Sequence, residues 1–409
     1  MVALETILLS VFGFMLLYLT LLSILALTAR KRPTMKSSRY QRMAFIVPAH
    51  DEELTIEKTL RSLLGVDYPR DYFDVIVIAD NCTDRTAEIA RTAGAIVYER
   101  RDASLRGKGY ALRWCFDRLL SGRPMYEAMV VVDADSVVSS NFLGVMNFYL
   151  DGGAKAIQCS DMVEPHPGAW SAEVTRVSFT LYNYVRPLGR QVIGCSAGLR
   201  GNGMCITVDT LRQVPWQAYS LNEDLEYGLI LLLHGISVLF APEATVHATM
   251  PRNADNAETQ RARWEAGRFP LIRNYAGPLI KAAFKQSSFR AFDAFVDLVT
   301  PPLINLVAFV TMLLFASLLL QWVGIGETAR FAWLWLILLG VGGVHVLVGL
   351  YAASADRLMY KALLFLPRYG LWKLIVYLKV LQGERTDKWI RTPRESPLGQ
   401  QKAPESLKR

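Results

Sequence analysis

Three long runs without charged residues divide the chain, and short apolar stretches alternate with amphipathic ones between the first two runs. The uncharged runs cover residues 6–28, 298–326 and 331–355. Each is longer than the roughly 20 residues that a helix needs to cross a bilayer. They predict one N-terminal transmembrane helix and a C-terminal transmembrane hairpin. The alternatives are a cleaved signal peptide for the first run and a buried helical hairpin for the other two.

The segment that begins near residue 41 shows the periodicities of an α/β domain. Compact apolar runs are typical of buried strands, and apolar residues three and four positions apart are typical of helices. The predicted strands cover 43–47, 73–79, 95–98, 128–132 and 237–241. The predicted helices cover 53–64, 83–93, 105–120, 170–186 and 222–233, and three glycines predict a loop at 198–203. Because strands and helices alternate, we expect a largely parallel sheet with helices on both faces.

Composition and charge indicate a membrane protein. The chain is 52% hydrophobic and 20% charged, with a mean hydropathy of +0.22, and soluble proteins are usually less apolar. Lysine and arginine cluster after the first uncharged run, before the second and after the third. The positive-inside tendency places these regions in the cytoplasm, so the N-terminus and the turn 327–330 are expected outside. We expect an integral protein of a bacterial inner or plasma membrane.

The basic net charge of +8 does not by itself predict nucleic-acid binding. The cations flank the uncharged runs, where they favour anionic lipid headgroups, so membrane lipids and no nucleic acid are the expected partners. The five cysteines contain no Cys-x-x-Cys pair, so reduced thiols are expected and a structural zinc site is not.

These patterns predict six segments. A transmembrane helix is expected at 1–30, a cytoplasmic α/β domain at 41–256, interfacial helices at 257–292, a transmembrane hairpin at 298–355, an interfacial C-terminal helix at 356–395 and a disordered tail at 396–409. Pro301 and Pro302 are expected near an end of the second uncharged run, or to kink it.

Acidic residues follow several of the predicted strands, and in such sheets ligands bind beyond the carboxyl ends of the strands. Asp133 and Asp135, one residue apart, can share a hard cation such as Mg²⁺ or Mn²⁺ and leave positions open for phosphate oxygens. Asp80 is suited to hydrogen bonding with a nucleotide base or ribose, and Glu52 is a similar candidate. The alternatives are a solvated turn at 133–135 and an Asx turn at Asp80.

Two further motifs suit group transfer. Asp224, next to Glu223, is suited to take a proton from an attacking hydroxyl, and one base suffices for a single displacement with inversion. Acids also favour helix N-termini, with Asn222 as a possible cap. Lys108, in a glycine-containing loop, could place a cation near phosphate, although a simple turn explains that loop equally well.

A basic and aromatic cluster lies just before the predicted hairpin. Gln260, Arg263 and Trp264 combine a guanidinium that can hold diphosphate oxygens with an indole that can stack on a sugar ring. The alternative is an interfacial helix with its Arg and Trp at headgroup depth.

Several sequence pieces together resemble a membrane-embedded glycosyltransferase of family 2 with the GT-A fold, over about residues 41–270. The pieces are FIVPAHDEE, IADNCTD, RGKGYALRW, VVDADS, GNGM, NEDLEYG and QRARW. The last two resemble motifs of cellulose, chitin and hyaluronan synthases and of ceramide glucosyltransferases. The resemblance implies an inverting enzyme whose cytoplasmic domain uses a nucleotide sugar, usually UDP-linked, and Mg²⁺ or Mn²⁺.

The resemblance also implies roles for individual residues. Asp135 would bind the metal and Asp224 would be the base. The nucleotide would contact Pro48, Glu52, Asp80, Lys108 and Asp133. The diphosphate and acceptor would contact Gln260, Arg263 and Trp264. The sugar pocket would include Gly201, Asn202, Gly203 and Glu223.

Two features differ from the polymer synthases. His247 stands where they more often have another residue, and a buried structural histidine is the favoured interpretation. Three predicted spans make a poor private channel, so a polysaccharide product would need an export partner or a homo-oligomer. The first hypothesis is therefore addition to a growing β-linked polysaccharide, the second is addition of one sugar to a lipid acceptor, and a non-catalytic membrane scaffold is a minor third.

Overall fold

The computed structural model describes residues 2–29, 37–122, 125–165, 170–248, 254–324, 329–366 and 368, without the side chains of 254–266, 329 and 330. The strands are β1 (Met43–Ala49), β2 (Phe73–Asp80), β3 (Ile96–Arg100), β4 (Ala128–Val131), β5 (Ser136–Val138), β6 (Ala156–Val163), β7 (Met204–Thr207) and β8 (Val238–Ala248). The first seven helices are α1 (Val2–Leu27), α2 (Ile56–Leu64), α3 (Thr86–Thr92), α4 (Lys108–Leu120), α5 (Phe142–Asp151), α6 (Trp170–Phe179) and α7 (Arg186–Val192). The others are α8 (Val208–Gln213), α9 (Glu223–Leu233), α10 (Ala254–Lys285), α11 (Phe289–Val299), α12 (Leu303–Trp322), α13 (Ala329–Ala352) and α14 (Arg357–Ala362).

The strands form one sheet in the order β3-β2-β1-β4-β7-β6-β8-β5, which confirms the α/β fold class. The half formed by β1 to β4 is parallel, as expected. The other half is mixed, because β7 runs antiparallel to β4 and β6, and β5 runs antiparallel to β8. Sequence periodicity does not predict β5, β6 or β7, so it gives no indication of these antiparallel pairings.

Helices cover both faces of the parallel half, and β1 shows why. Met43, Phe45 and Val47 pack into the hydrophobic cluster on one face, while Ala44 and Ile46 pack into the cluster on the other. All five side chains are fully buried. Because successive side chains of a strand point to opposite faces, a strand without polar residues requires an apolar cover on both sides.

Each of the three uncharged runs contains a long helix, as predicted: α1, α12 and α13. Candidate membrane spans are Val2–Leu27, Leu303–Trp322 and Phe331–Ala352, which are long and apolar enough to cross a bilayer. Pro301 and Pro302 lie directly before α12, at the expected end of the second run.

The α1 helix also packs on the α/β domain. A Cβ at Gly189 in α7 would come within 2.3 Å of the backbone oxygen of Leu22, so the two backbones touch there. The first candidate membrane span and the sheet domain are therefore joined by direct backbone packing.

Some predicted elements differ in detail from the structure. The helix expected at 170–186 consists of α6, a π-helical turn over Thr180–Val185, and α7. The region expected to be interfacial comprises α10 and α11, which turn at Gln286 to Ser288. Of the C-terminal helix predicted at 356–395, only residues up to 366 and residue 368 are described, and the predicted tail at 396–409 lies outside the described residues.

Candidate active site

The loops after β1 and β2 meet at one edge of the sheet, as the sequence predicts. The backbone oxygen of Asp80 lies 2.7 Å from His50 Nδ1, and Asp51 Oδ1 accepts a hydrogen bond of 2.7 Å from the amide of Thr83. Asp51 adopts φ +54° to make this turn. Parallel neighbours bring their carboxyl ends together, so residues far apart in sequence form one rim.

Asp80 is held by an arginine that the sequence did not suggest. Arg100, the last residue of β3, places Nη1 2.6 Å from Asp80 Oδ1, and both side chains are nearly buried. Burial raises the pKa of Asp80 above its ordinary value, while Arg100 opposes that rise. Asn81 Nδ2 donates to the same Oδ1 at 3.0 Å. Asp80 is thus a fixed hydrogen-bond acceptor at the rim, and the pairing of β2 with β3 creates it.

The loops at the rim also bring three possible metal ligands together, from Asp51, Cys82 and Asp84, within 4.8 Å of one another. Their geometry is explained by the loops themselves. Asp84 accepts from the amides of Glu53 and Thr86, at 3.1 Å and 2.9 Å. Burial raises the pKa of the Cys82 thiol to about 11, so the thiolate that binds metals is scarce at neutral pH.

Lys108 connects three of the predicted motifs through one ammonium group. It begins α4, and its Nζ lies 2.6 Å from Asp133 Oδ1, 2.7 Å from the carbonyl oxygen of Gly201 and 3.6 Å from Glu223 Oε1. Burial alone would lower the pKa of Lys108, but the carboxylates of Asp133 and Glu223 outweigh it and hold the pKa above its ordinary value. Lys108 therefore stays charged and holds the β4 end, the glycine loop and the α9 start together.

The loop Gly201-Asn202-Gly203 has a conformation that requires glycine. Gly203 has φ +68°, and a Cβ there would come within 2.0 Å of Cys159 Sγ. Between the glycines, Asn202 is buried and accepts from the amide of Asp133 at 3.1 Å while it donates to Ser136 Oγ at 2.9 Å. Asn202 thus ties the loop to the segment that carries Asp133 and Asp135.

Asp224 lies directly beneath the first glycine of this loop. Gly201 has φ +85°, and a Cβ there would lie 3.0 Å from Asp224 Oδ2. Burial raises the pKa of Asp224 and of Glu223 above the ordinary carboxyl range, and Lys108 opposes both shifts. Asn222 makes no side-chain cap at the start of α9, so the capping alternative is not supported. An acid with a raised pKa beside other charged and polar groups is suited to acid–base chemistry.

Asp161 is a further acid at this site that sequence reasoning missed. It lies on β6 and is buried, with Asn183 Nδ2 at 3.2 Å and Asn202 Nδ2 at 3.5 Å. Burial raises its pKa, and the negative charges of Asp133 and Asp135 raise it further. The signal was weak, because β6 itself was not predicted.

The donor set fits a hard divalent cation. Asp133 and Asp135 offer carboxylate oxygens one residue apart at the end of β4, and their charges add to that of Asp161. Oxygen ligands with excess negative charge are what Mg²⁺ and Mn²⁺ prefer. A bound cation would relieve the repulsion that raises the pKa of Asp161.

The Gln260 to Trp264 segment lies on α10, whose backbone is helical there, while its side chains lie outside the described residues. One turn later, Gly267 packs on Asn222, where a Cβ would come within 2.9 Å of Asn222 Cγ. The α10 helix therefore crosses the start of α9 next to Glu223 and Asp224. The roles of the segment's side chains stay predictions.

The structure also describes Pro48, Glu52 and His247, three further positions that the sequence singles out. Pro48 is part of β1 and lies opposite Ile78 of β2. The carboxylate of Glu52 accepts from Thr55 Oγ1 at 2.9 Å, within its own loop. His247 on β8 lies opposite Val137, and burial lowers its pKa, so a neutral, half-buried imidazole is present.

Comparison with known proteins identifies a family. A family model described as "Glycosyltransferase like family 2" matches residues 41–267, more than half of the chain. A protein of Bacillus subtilis named "Probable glycosyltransferase YdaM" is 24% identical over 266 residues, which is 62% of this chain and 61% of that protein. The beta-monoglucosyldiacylglycerol synthase of Nostoc sp. is 27% identical over 58% of this chain and 51% of its own length. The chain thus spans less than two thirds of these two relatives.

Two further matches extend the comparison. The poly-beta-1,6-N-acetyl-D-glucosamine synthase of Staphylococcus epidermidis is 23% identical over 66% of this chain and 68% of that protein. Among solved structures, the mannosyltransferase PcManGT of Pyrobaculum calidifontis, in complex with GDP-Man and Mn²⁺, superposes with a TM-score of 0.53 and 18% identity. That match covers 84% of this chain and 99% of the other, and it shows that the two share a fold.

Proposed function

We propose that this chain, which belongs to glycosyltransferase family 2, moves a sugar from a nucleoside diphosphate, preferably UDP, to an acceptor at the membrane with inversion at the anomeric carbon. Inversion needs a single general base and no covalent intermediate. Asp224 is the residue proposed for that role.

The observation that carries this proposal is the position of Lys108. Its ammonium group contacts Asp133, the backbone of Gly201 and Glu223 at once. These three come from the motifs proposed for the nucleotide, the sugar pocket and the base. Groups that must act on one substrate therefore lie within a few ångströms of the ammonium group of Lys108.

Each group has a defined chemical task in the proposal. Asp80, fixed by Arg100, accepts hydrogen bonds from the nucleoside. Asp133 and Asp135 would hold Mg²⁺ or Mn²⁺, which would supply charge neutralisation for the leaving diphosphate. Asp224 accepts the proton of the acceptor hydroxyl, because its raised pKa makes it a stronger base than an exposed aspartate. Gln260, Arg263 and Trp264 are proposed to bind the diphosphate and the acceptor.

The proposal includes two acceptor classes. A growing β-linked polysaccharide is the first, in line with the similarity to the N-acetylglucosamine polymer synthase, and with three candidate spans it would need an export partner or an oligomer. A membrane lipid that receives one sugar is the second. The direct packing of α7 on α1 at Gly189 supports it, because the domain then lies against a candidate membrane span.

The deciding experiment uses the purified full-length chain with labelled nucleotide sugars, with and without lipid extract. High-mass product supports the polysaccharide, and a lipid carrying one sugar supports the lipid acceptor. Chelation should stop transfer, and Mg²⁺ or Mn²⁺ should restore it. Absence of nucleotide release with every donor, acceptor and metal tried would contradict the proposed reaction.

We further propose that the α/β domain faces the cytoplasm of a bacterial inner or plasma membrane, with α10 and α11 at the lipid surface. Phe269, Phe284 and Phe289 are exposed on these helices, where lysine and arginine also occur. Exposed aromatic rings among cations are typical of a helix that lies in the headgroup region.

A further inference from the structure

An arginine cluster lies between the active site and the membrane helices. It consists of Arg186 and Arg190 on α7, Arg200 in the glycine loop and Arg268 on α10. In the described part of the chain, the carboxylates within 4 Å of these guanidinium groups are those of Asp293 and Asp297 on α11. The cluster therefore carries more positive than negative charge.

The two carboxylates are already occupied by well-placed donors. Asp293 Oδ2 lies 2.7 Å from Arg190, and its Oδ1 accepts from Tyr18 OH of α1 at 2.8 Å. Asp297 lies 3.1 Å from Arg186 and 3.0 Å from Arg190. Each of the four carboxylate oxygens therefore already faces a donor from Tyr18, Arg186 or Arg190.

Arg200 is left without a proper partner. Its side chain is 3% exposed, its closest approach to a carboxylate oxygen is 3.8 Å to Asp297, and its Nη2 reaches the oxygen of Ala197 at 3.5 Å. Its Nε and Nη1 have no hydrogen-bond partner among the residues that the structure describes. A guanidinium carries five N–H donors, so three of the five on Arg200 are buried without an acceptor. Buried polar groups of this kind normally have partners.

Arg268 is bound to neutral groups. It donates to the backbone oxygen of Leu298 at 2.9 Å and to that of Asp297 at 2.5 Å, and its Nη1 lies 3.3 Å from Tyr182 OH. The ring of Tyr182 lies beneath Arg200, with 4.2 Å from the guanidinium carbon to the ring centroid. Burial would raise the pKa of this phenol, yet Arg200 and Arg268 hold it below its ordinary value. The surroundings of Tyr182 are therefore strongly positive.

Arg200 and Arg268 each lie next to a glycine that packs against the start of α9. Arg200 precedes Gly201, which packs on Asp224, and Arg268 follows Gly267, which packs on Asn222. On the other side, the cluster is tied to α1 through Tyr18 and to α11, which ends just before α12 begins. Arg200, with its unpartnered donors, and Arg268, bound only to neutral groups, thus lie between the start of α9, which carries the proposed base, and α11.

We propose that Arg200 and Arg268, with Tyr182, bind the phosphate group of a membrane lipid, so that the acceptor is a phosphate-bearing lipid. A guanidinium matches phosphate oxygens with two parallel N–H donors, which would give the buried Nε and Nη1 their missing acceptors. The inference rests on the proposed function, since it names the acceptor class of the same site.

The donor diphosphate is a poorer occupant for this cluster. The metal ligands proposed for it, Asp133 and Asp135, lie at the acidic end of the site with Lys108. Arg200 lowers the pKa of Asp224 and also lies 3.8 Å from Asp297 of α11, the helix that leads into a candidate span. A lipid headgroup that approaches along α11 would meet Arg200 on this side.

The test measures binding without any donor sugar. The full-length chain in neutral detergent is titrated with lysophosphatidic acid, with monoacylglycerol of the same acyl chain, or with inorganic phosphate, and its thermal unfolding midpoint is followed. We expect lysophosphatidic acid to saturate its effect at a concentration at least about tenfold below that of monoacylglycerol. Equal responses to the two lipids would overturn the proposal. A response to inorganic phosphate as strong as to the phospholipid would overturn the lipid source.

Variants localise the binding. Arg200→Gln should raise the half-saturating concentration of lysophosphatidic acid about tenfold. Arg290→Gln, which removes an exposed arginine from the same membrane-facing helix pair, should leave it unchanged. If Arg200→Gln does not fold, Arg200→Lys keeps the charge but loses the two-pronged donor, and unchanged binding in that variant contradicts the proposal. Sugar transfer to lipids with no preference for a phosphate group would reject this inference and keep the proposed function. Selective binding of the phospholipid without any sugar transfer would keep this inference and reject the proposed function.

Discussion

Single residues at this site combine structural and chemical roles. Lys108 holds three segments together and also sets the proton affinity of the acids around it. Gly201 allows a turn that other residues rarely adopt and leaves room for the carboxylate of Asp224. Substitutions at these residues therefore need controls that separate folding from chemistry.

Asp224→Asn is expected to reduce transfer by about 10²–10⁴-fold, because an amide cannot accept the acceptor's proton. Nucleotide binding should survive, since the groups proposed to contact the nucleotide are unchanged. Transfer and titration calorimetry with the donor measure the two effects separately. Asp209→Asn, an exposed aspartate on α8, is the matched control and should transfer normally. Full activity of Asp224→Asn would remove Asp224 as the base.

Gly201→Ala tests the space above the base. The left-handed backbone costs an alanine about 1–2 kcal/mol, and its Cβ would lie 3.0 Å from Asp224 Oδ2, so the carboxylate must move. Gly94→Ala has the same conformational cost at φ +93° but meets nothing within 4 Å. We expect similar losses of thermal stability in both variants and a loss of activity of about tenfold or more only in Gly201→Ala. Equal activities would show that Gly201 does not control the base.

The pH dependence of activity should follow Asp224. Burial raises its pKa, so the ionised base is lost on acidification at a higher pH than for an exposed carboxyl group. Lys108 lowers the pKa of Asp224, so Lys108→Met should raise that pKa. The acid limb of the variant's kcat/KM profile, measured on its residual activity, should therefore lie at still higher pH. An acid limb that stays in place in Lys108→Met would show that Asp224 does not titrate in this profile.

At the scale of elements, buried ion pairs fix how helices α1, α7 and α11 meet. Asp293 joins Arg190 of α7 to Tyr18 of α1, and Asp297 accepts from both arginines of α7. Buried charges are costly to leave unpaired, so the relative positions of these helices are strongly restricted.

Asp297→Asn should therefore destabilise the fold by about 3–5 kcal/mol, because it leaves buried arginines without their carboxylate. Asp117→Asn breaks an exposed pair with Arg113 at 2.6 Å and should cost about 0.3–0.5 kcal/mol. Thermal unfolding of the two variants in detergent compares them directly. Similar midpoints would mean that the buried pairs contribute little to stability.

At the scale of the whole molecule, the candidate spans predict an orientation. Val323, at the end of α12, should face outside, and Gln286, in the turn between α10 and α11, should face the cytoplasm. A membrane-impermeant thiol reagent should label Val323→Cys in intact cells and Gln286→Cys only after permeabilisation, each compared with the unaltered chain. The reverse pattern would invert the proposed topology.

Much of this protein follows from the sequence alone. The uncharged runs are helices, and the predicted strands β1 to β4 begin and end within a few residues of their expected limits. Alternation places acids at the carboxyl ends of parallel strands, so the meeting of the Asp51 and Asp80 loops could be expected. These features depend on local periodicity, which is visible directly in the sequence.

Only the tertiary structure decided which distant groups meet. Arg100 reaches Asp80 because β3 pairs with β2, and Asp161 joins the acidic group because β6 lies beyond β7. Among the described residues, Arg200 Nε and Nη1 lack acceptors, and the nearby aspartates of α11 are paired with arginines of α7. Arg100 and Asp161 lie outside the predicted elements and motifs, and Arg200 is one position of the predicted glycine loop. The surroundings and partners of these charged groups depend on long-range packing and burial. Local sequence does not determine either.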